Sequence, residues 1–159
     1  MPATTGEVTL GGRAPEAYSE ESFRLSVRLH RENDWIFATT VRENLAVANP
    51  QASEDLMQEC LEAVDFSLGL NVVLSDGAES LSIGQRRRLL LARALCSTAP
   101  VLLLDEPTEH ISADDARDLL SMLVGGPLPG ARAERTAVVG THLEPAPRLR
   151  NNGARDSRD

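Results

Sequence analysis

Apolar positions along the chain fall into blocks separated by polar stretches that carry glycine and proline. The first blocks alternate. GEVTLGG at 6–12 is bracketed by glycines and predicts a short strand and turn. SFRLSVRLH at 22–30 sets Phe23, Leu25, Val27 and Leu29 on one face at a period of two, which predicts a half-buried strand. IFATTVRENLAVANP at 36–50 begins like a strand, continues as a short helical piece and stops at Pro50. From Ser53 the spacing becomes helical, with Leu56, Met57, Cys60, Leu61 and Val64 on one stripe. Glu54 and Asp55 place acid in the first turn, where the helix dipole favours it. A polar, glycine-bearing loop follows over 67–80, with LNVVL as an apolar patch inside it.

The second half is more strongly patterned. LSIGQRRRLLLARALCS at 81–97 predicts a helix whose C-terminal half is buried, with Leu89, Leu90, Leu91, Ala94 and Leu95 forming its apolar face. VLLLDEP at 101–107 is a continuous apolar run, as in a parallel strand covered on both faces, and ends at Pro107. Ser112, with Asp115 three residues on, has the spacing of a capping box for a helix over 113–123. GGPLPG at 125–130 predicts a loop, and TAVVGTH at 136–142 a second buried strand with a polar tip. Helices alternating with apolar strands predict an α/β layer around a parallel sheet. Chemistry in such sheets gathers at the carboxyl ends of the strands, and here those ends carry Asp105, Glu106 and His142.

Composition narrows the function without naming it. A chain of 159 residues fits one domain that buries roughly two thirds of its unfolded surface. Aromatics make up only 3%, so the core is aliphatic. The net charge of -8 argues against a general nucleic-acid binder, whose surface is normally basic. Cys60 and Cys96 lie in apolar, helix-like surroundings without metal or disulfide spacing, and read as small buried hydrophobes. No apolar run approaches the roughly 18 residues of a membrane span, and the N-terminus lacks a signal-peptide pattern.

Three features carry candidate chemistry. Adjacent carboxylates at the end of a buried strand are costly unless a cation sits before them. Asp105 could hold magnesium through its water shell, and Glu106 could orient or deprotonate an attacking water. His142 could contact a phosphate or the Glu106 carboxylate. Ser82 and the backbone around Gly84 open a helix, a natural anion site. Taken singly, these are also an acidic turn, a surface histidine and an ordinary capped helix.

Order and spacing together resemble the nucleotide-binding domain of ABC transporters. LSIGQRRRLLLARAL is similar to the family's signature motif and its helix, VLLLDEP to the Walker B strand with its catalytic glutamate, EHISADD to the D-loop and GTH to the switch histidine. FATTVRENL resembles the segment after the Q-loop of exporter-type members. A finer resemblance, carried by RRRLLLARAL and by Thr108–His110, is to the CydC-type subunit of heterodimeric thiol-reductant exporters, which export cysteine or glutathione and support cytochrome bd assembly.

The resemblance implies a P-loop NTPase-like α/β ATPase domain over 6–145, with a helical signature subdomain at about 48–98 and a polar, unstructured tail at 146–159. It implies ATP and Mg2+ as ligands, Glu106 and His142 as catalytic residues, and Asp105 as the metal-side carboxylate. Ser82, Gly84 and Gln85 would face a nucleotide held by a second subunit. Glu32 stands at the Q-loop position and Ser112 at the D-loop position, where the family has Gln and Asp. Ile83 stands where the family has the first signature glycine, and its branched side chain would crowd the approach of backbone to phosphate. The partners implied are a CydD-like ABC half-transporter subunit and a transmembrane domain, with no nucleic acid, at the cytoplasmic face of a bacterial plasma membrane. Residues 36–45 would lie near the surface that touches that membrane domain.

The chain contains no G-x-x-x-x-G-K-[ST] run. In the family, that loop and its helix precede a segment like PATTGEVTLGG, so the domain is expected to lack its phosphate-loop strand and helix. VLLLD is then expected to lack a neighbouring strand and to expose an open edge. Tyr18 is in the wrong place for the aromatic that stacks adenine. Two other functions fit part of this pattern. One is a degenerate, non-catalytic half that completes a partner's site. The other is a DNA-repair or chromosome-structure ATPase, which the missing heptads and acidic balance disfavour.

Overall fold

The computed structural model describes residues 7–31, 34–125, 127–130 and 134–142. Its centre is a three-stranded parallel sheet in the order β1–β2–β3, where β1 is Val27–His30, β2 is Val101–Asp105 and β3 is Thr136–Gly140. The VLLLD strand is therefore the middle one. Leu102 is in register with Arg28 and Ala137, Leu103 with Leu29 and Val138, and Leu104 with His30 and Val139. Its backbone is paired on both sides, so the open edge expected there does not occur.

Five α-helices pack with the sheet among the described residues: α1 (Glu20–Ser26), α2 (Val41–Ala46), α3 (Glu54–Ala63), α4 (Ile83–Cys96) and α5 (Ala113–Gly125). Ser53 caps α3 through the Leu56 N–H, as its sequence predicts. A Thr40–Glu43 capping box starts α2, and the hydroxyls of Thr39 and Thr40 both reach the Glu43 carboxylate, holding it down at about 2. Leu89, Leu91 and Leu95 of α4 are fully buried beside Met57, Cys60 and Leu61 of α3, and they share one core with Leu102, Leu104, Leu119 and Leu123. Cys60 and Cys96 are free, buried thiols within this core. The hydrogen bond between them, reinforced by burial, pushes the Cys60 thiol well above its ordinary range.

Four further expectations are corrected. Residues 20–26 are helical, because Ser19 caps the Ser22 N–H and Glu20 and Glu21 complement the helix start. Those local interactions override the alternating pattern, and β1 keeps only the last four residues. The described part of GEVTLGG, residues 7–12, contains no strand; Leu10 and Arg13 form a tight bridge around Gly11 and Gly12, both at positive φ. Among the described residues, the sheet is not covered on both faces. Leu102, Leu104 and His30 point into the core, whereas on the opposite face Leu29 is 37% and Val138 53% exposed. β3, predicted as buried, is an edge strand with alternate residues exposed.

Tyr18 is engaged structurally. Its hydroxyl donates to the Leu10 carbonyl at 2.5 Å, and the Arg13 guanidinium lies over its ring. Among the described residues, no helix is long and apolar enough to cross a membrane. The tail at 146–159 lies outside the described residues.

Candidate active site

Two polar tips emerge from this frame. The first is the start of α4. Ser82 caps the helix by accepting from the Gln85 N–H at 3.2 Å, and the Gln85 side chain accepts from the Ser82 N–H at 2.9 Å. This reciprocal capping box fixes the entry to the helix without any distant residue. Gly84 has open space around it, since a Cβ there would meet nothing within 4 Å. No packing among the described residues therefore requires glycine here, where it costs the helix about 0.5–1 kcal/mol relative to alanine. Ile83 is exposed.

The second tip lies at the carboxyl ends of β2 and β3. Asp105 is paired with Gly140. Its exposed carboxylate has no hydrogen-bond or ion-pair partner among the described residues, and Gly140 leaves the space before it clear. Glu106 sits in the left-handed region at φ 45°, with its N–H donating to the Gly140 carbonyl at 2.9 Å. Its carboxylate, 25% exposed, meets the His142 ring: Nε2 is 3.2 Å from Oε1, and the His142 backbone N–H reaches Oε2 at 3.4 Å. Residues 36 apart in sequence are thus joined by parallel register alone.

The structure brings Asp105, Glu106 and His142 together. Ser82, Gly84 and Gln85 form a separate tip, and among the described residues no hydrogen bond or ion pair links the two groups. Ser112 caps α5 through the Asp115 N–H at 3.2 Å. The Asp115 carboxylate does not reach back to complete a box; it binds Arg88 at 2.7 Å instead. Glu32 lies outside the described residues.

Sequence reasoning missed the buried polar groups beneath these tips. Arg87, 3% exposed, reaches the turn after Glu106. Arg93 donates to the Trp35 carbonyl and the Asn44 side-chain oxygen, both at 2.7 Å, and burial lowers it to about 10. His30 is buried at the end of β1. Burial holds it down to about 4, with Arg87 and Arg28 adding to the effect and Asp34 opposing it. One available signal was the run Arg86–Arg88. Consecutive helical residues point about 100° apart, so three in a row cannot all face solvent on a helix buried this deeply.

An acid pair beside a histidine at parallel strand ends, with a capped glycine-bearing helix tip, matches what comparisons with known proteins find. The family model described as ABC transporter matches residues 1–109. The glutathione/L-cysteine transport system ATP-binding/permease protein CydC of Haemophilus influenzae is 38% identical over 130 residues, covering 77% of this chain and 23% of that protein. Its Escherichia coli counterpart is 33% identical over 142 residues, covering 86% and 24%. The mycobactin import ATP-binding/permease protein IrtB of Mycobacterium tuberculosis is 31% identical over 145 residues, covering 87% and 23%. The chain therefore spans about a quarter of the length of these relatives. The fold matches a bacterial Atm1-family ABC exporter solved with ATP bound, at a TM-score of 0.70 and 21% identity, over 86% of this chain and 25% of that one. The mixed α/β architecture is that of an ABC ATPase, and the chain belongs to the ABC transporter family.

Proposed function

We propose that this chain is the ATP-handling part of a CydC-like subunit, which pairs with a CydD-like subunit to drive export of thiol reductants such as cysteine or glutathione. The observation that carries the ATPase reading is the Glu106–His142 contact at 3.2 Å beside Asp105. Asp105, an exposed hard-oxygen ligand with clear space before it, suits Mg2+. Bound magnesium would neutralise phosphate charge during hydrolysis. Glu106 accepts the proton of the attacking water. His142 holds that carboxylate through its ring and backbone N–H groups, leaving its outer face toward substrate. Ser82, Gly84 and Gln85 present the N-terminus of α4 to a nucleotide on the partner subunit, an approach that the open space at Gly84 permits. Glu32 serves the Q-loop position and Ser112 the D-loop position. Residues about 48–98 act as the signature subdomain. The surface near residues 36–45, where Phe37 is exposed, meets the transmembrane domain on the cytoplasmic side of the membrane.

The thiol substrate rests on the two CydC relatives alone. Other relatives are named for lipid A-core flipping and mycobactin import, so the ATPase domain is shared across cargoes. A second reading, a non-catalytic half that completes a partner's site, draws on exposed Ile83 beside Gly84.

One experiment separates them. In the assembled transporter, Glu106→Gln lowers ATP hydrolysis by roughly 10²–10⁴-fold while ATP still binds. Cysteine or glutathione stimulates the unsubstituted complex. Full hydrolysis in the Gln variant establishes the non-catalytic half, and hydrolysis indifferent to thiols removes the substrate assignment. The 159-residue chain alone, holding no G-x-x-x-x-G-K-[ST] run, shows no turnover above background.

A further inference from the structure

We propose that Arg87 is a positioning residue that locks the turn following the acid pair and ties it to the tip of α4. The inference rests on the ATPase reading above and goes beyond it.

The three arginines after Gln85 diverge. Arg86 Nε donates to the Leu81 carbonyl, and Arg88 binds Val64, Asp65 and Asp115. Arg87 points inward and is 3% exposed. A guanidinium is taken out of water at high cost unless its partners are well placed. Its Nη2 lies 3.4 Å from Glu109 Oε2 and 3.3 Å from His110 Nδ1. Both partners belong to the turn that begins at Glu106.

That turn needs holding. Glu106 at φ 45° and His110 at φ 61° are both left-handed without being glycine. Each such residue costs about 1–2 kcal/mol, and it persists only where the surroundings over-determine it. The near end is fixed by the Glu106 N–H on the Gly140 carbonyl. Inside, the Glu109 N–H bonds the Glu106 carbonyl and the Ile111 N–H the Thr108 carbonyl. The far end is met by Arg87. That side chain leaves the same helix whose first residues are the Ser82–Gln85 tip, so any shift of α4 is transmitted to the backbone that aims Glu106.

The test is steady-state ATP hydrolysis by the assembled transporter. Arg87→Met lowers kcat roughly 10- to 100-fold, as misplacement of a reacting group does, and leaves KM for ATP within about 3-fold. Arg87→Lys, which keeps the charge but loses the fork, restores part of the rate. Glu109→Ala combined with His110→Gly removes the same contacts from two half-exposed positions, with a residue at 110 that tolerates the left-handed region. It reproduces the loss of kcat even where the Arg87 variants fail to fold, and adding Arg87→Met causes little further loss. Unchanged kcat in the Glu109/His110 double variant, or an effect confined to KM, overturns the proposal. Glu106→Gln in parallel keeps the two claims apart. If that variant hydrolyses ATP normally, the ATPase reading fails. If it is inactive while the Arg87 and Glu109/His110 variants run at full rate, only the role of Arg87 falls.

Discussion

The two tips of this molecule are built on opposite principles. The α4 tip is local: Ser82 and Gln85, three residues apart, satisfy each other's backbone groups and would do so in any helix that started there. The acid tip is non-local. Glu106 and His142 meet only because β2 and β3 lie parallel in one register, and the connecting backbone is held left-handed at Glu106 and His110. One tip adds stability where it presents N–H groups outward. The other consumes stability to aim a carboxylate.

If the contrast lies in the tips themselves, their supports should be equivalent. Leu89 beneath the α4 tip and Leu104 beneath the acid tip are both buried in one core. Leu89→Ala and Leu104→Ala should therefore each destabilise the chain by about 2–5 kcal/mol in urea unfolding. A loss below about 1 kcal/mol at either site would show that the two tips do not share a foundation.

The same contrast governs what could be read from the chain. The Ser82 cap, the Ser53 cap and the buried stripe of α4 were legible because three- and four-residue spacings determine them. The parallel sheet and the gathering of Asp105, Glu106 and His142 followed from strand order. The 20–26 segment was misread because its period-two apolar pattern competed with a Ser19 cap and two acids, and the local hydrogen bonds prevailed. Central placement of VLLLD and the exposure of Leu29 and Val138 depend on which strands pair and on what covers the sheet, which no window of sequence contains. Arg87, Arg93 and His30 were missed for a related reason: burial of a polar group is a tertiary fact.

His30 sharpens the comparison through pH. It ends β1 beside Leu104, on the acid-tip side of the core, and is held neutral by burial down to about 4 against an ordinary 6.5. Between those values the unfolded chain binds a proton that the folded chain refuses. Stability therefore falls as pH drops from about 6.5 to about 4, by roughly 3 kcal/mol at most. Glu43 acts lower: hydrogen bonds from Thr39 and Thr40 hold it at about 2 against 4.5, so its contribution is lost only as pH falls through that range. His30→Leu should flatten the upper slope, leave the lower one and cost nothing at pH 7. A slope between pH 6.5 and 4 that survives His30→Leu would place the sensitivity elsewhere.

The smallest effects sit at the tips and differ in sign. Ser82→Ala deletes a cap and should cost about 1 kcal/mol. Glu106→Gly removes a side chain from a left-handed residue, relieving about 1–2 kcal/mol of strain against a glycine entropy cost of about 0.5–1 kcal/mol. The lost contact with His142 offsets little, because that ring is 95% exposed and even charged surface pairs contribute only about 0–1 kcal/mol. Chemical denaturation should then show Glu106→Gly as stable as the parent chain or slightly more so, although the substitution deletes the carboxylate on which hydrolysis is proposed to depend. Were Glu106→Gly to cost more than Ser82→Ala, the acid tip would not be storing strain, and the left-handed turn would have to be stabilised by the Glu106 side chain itself.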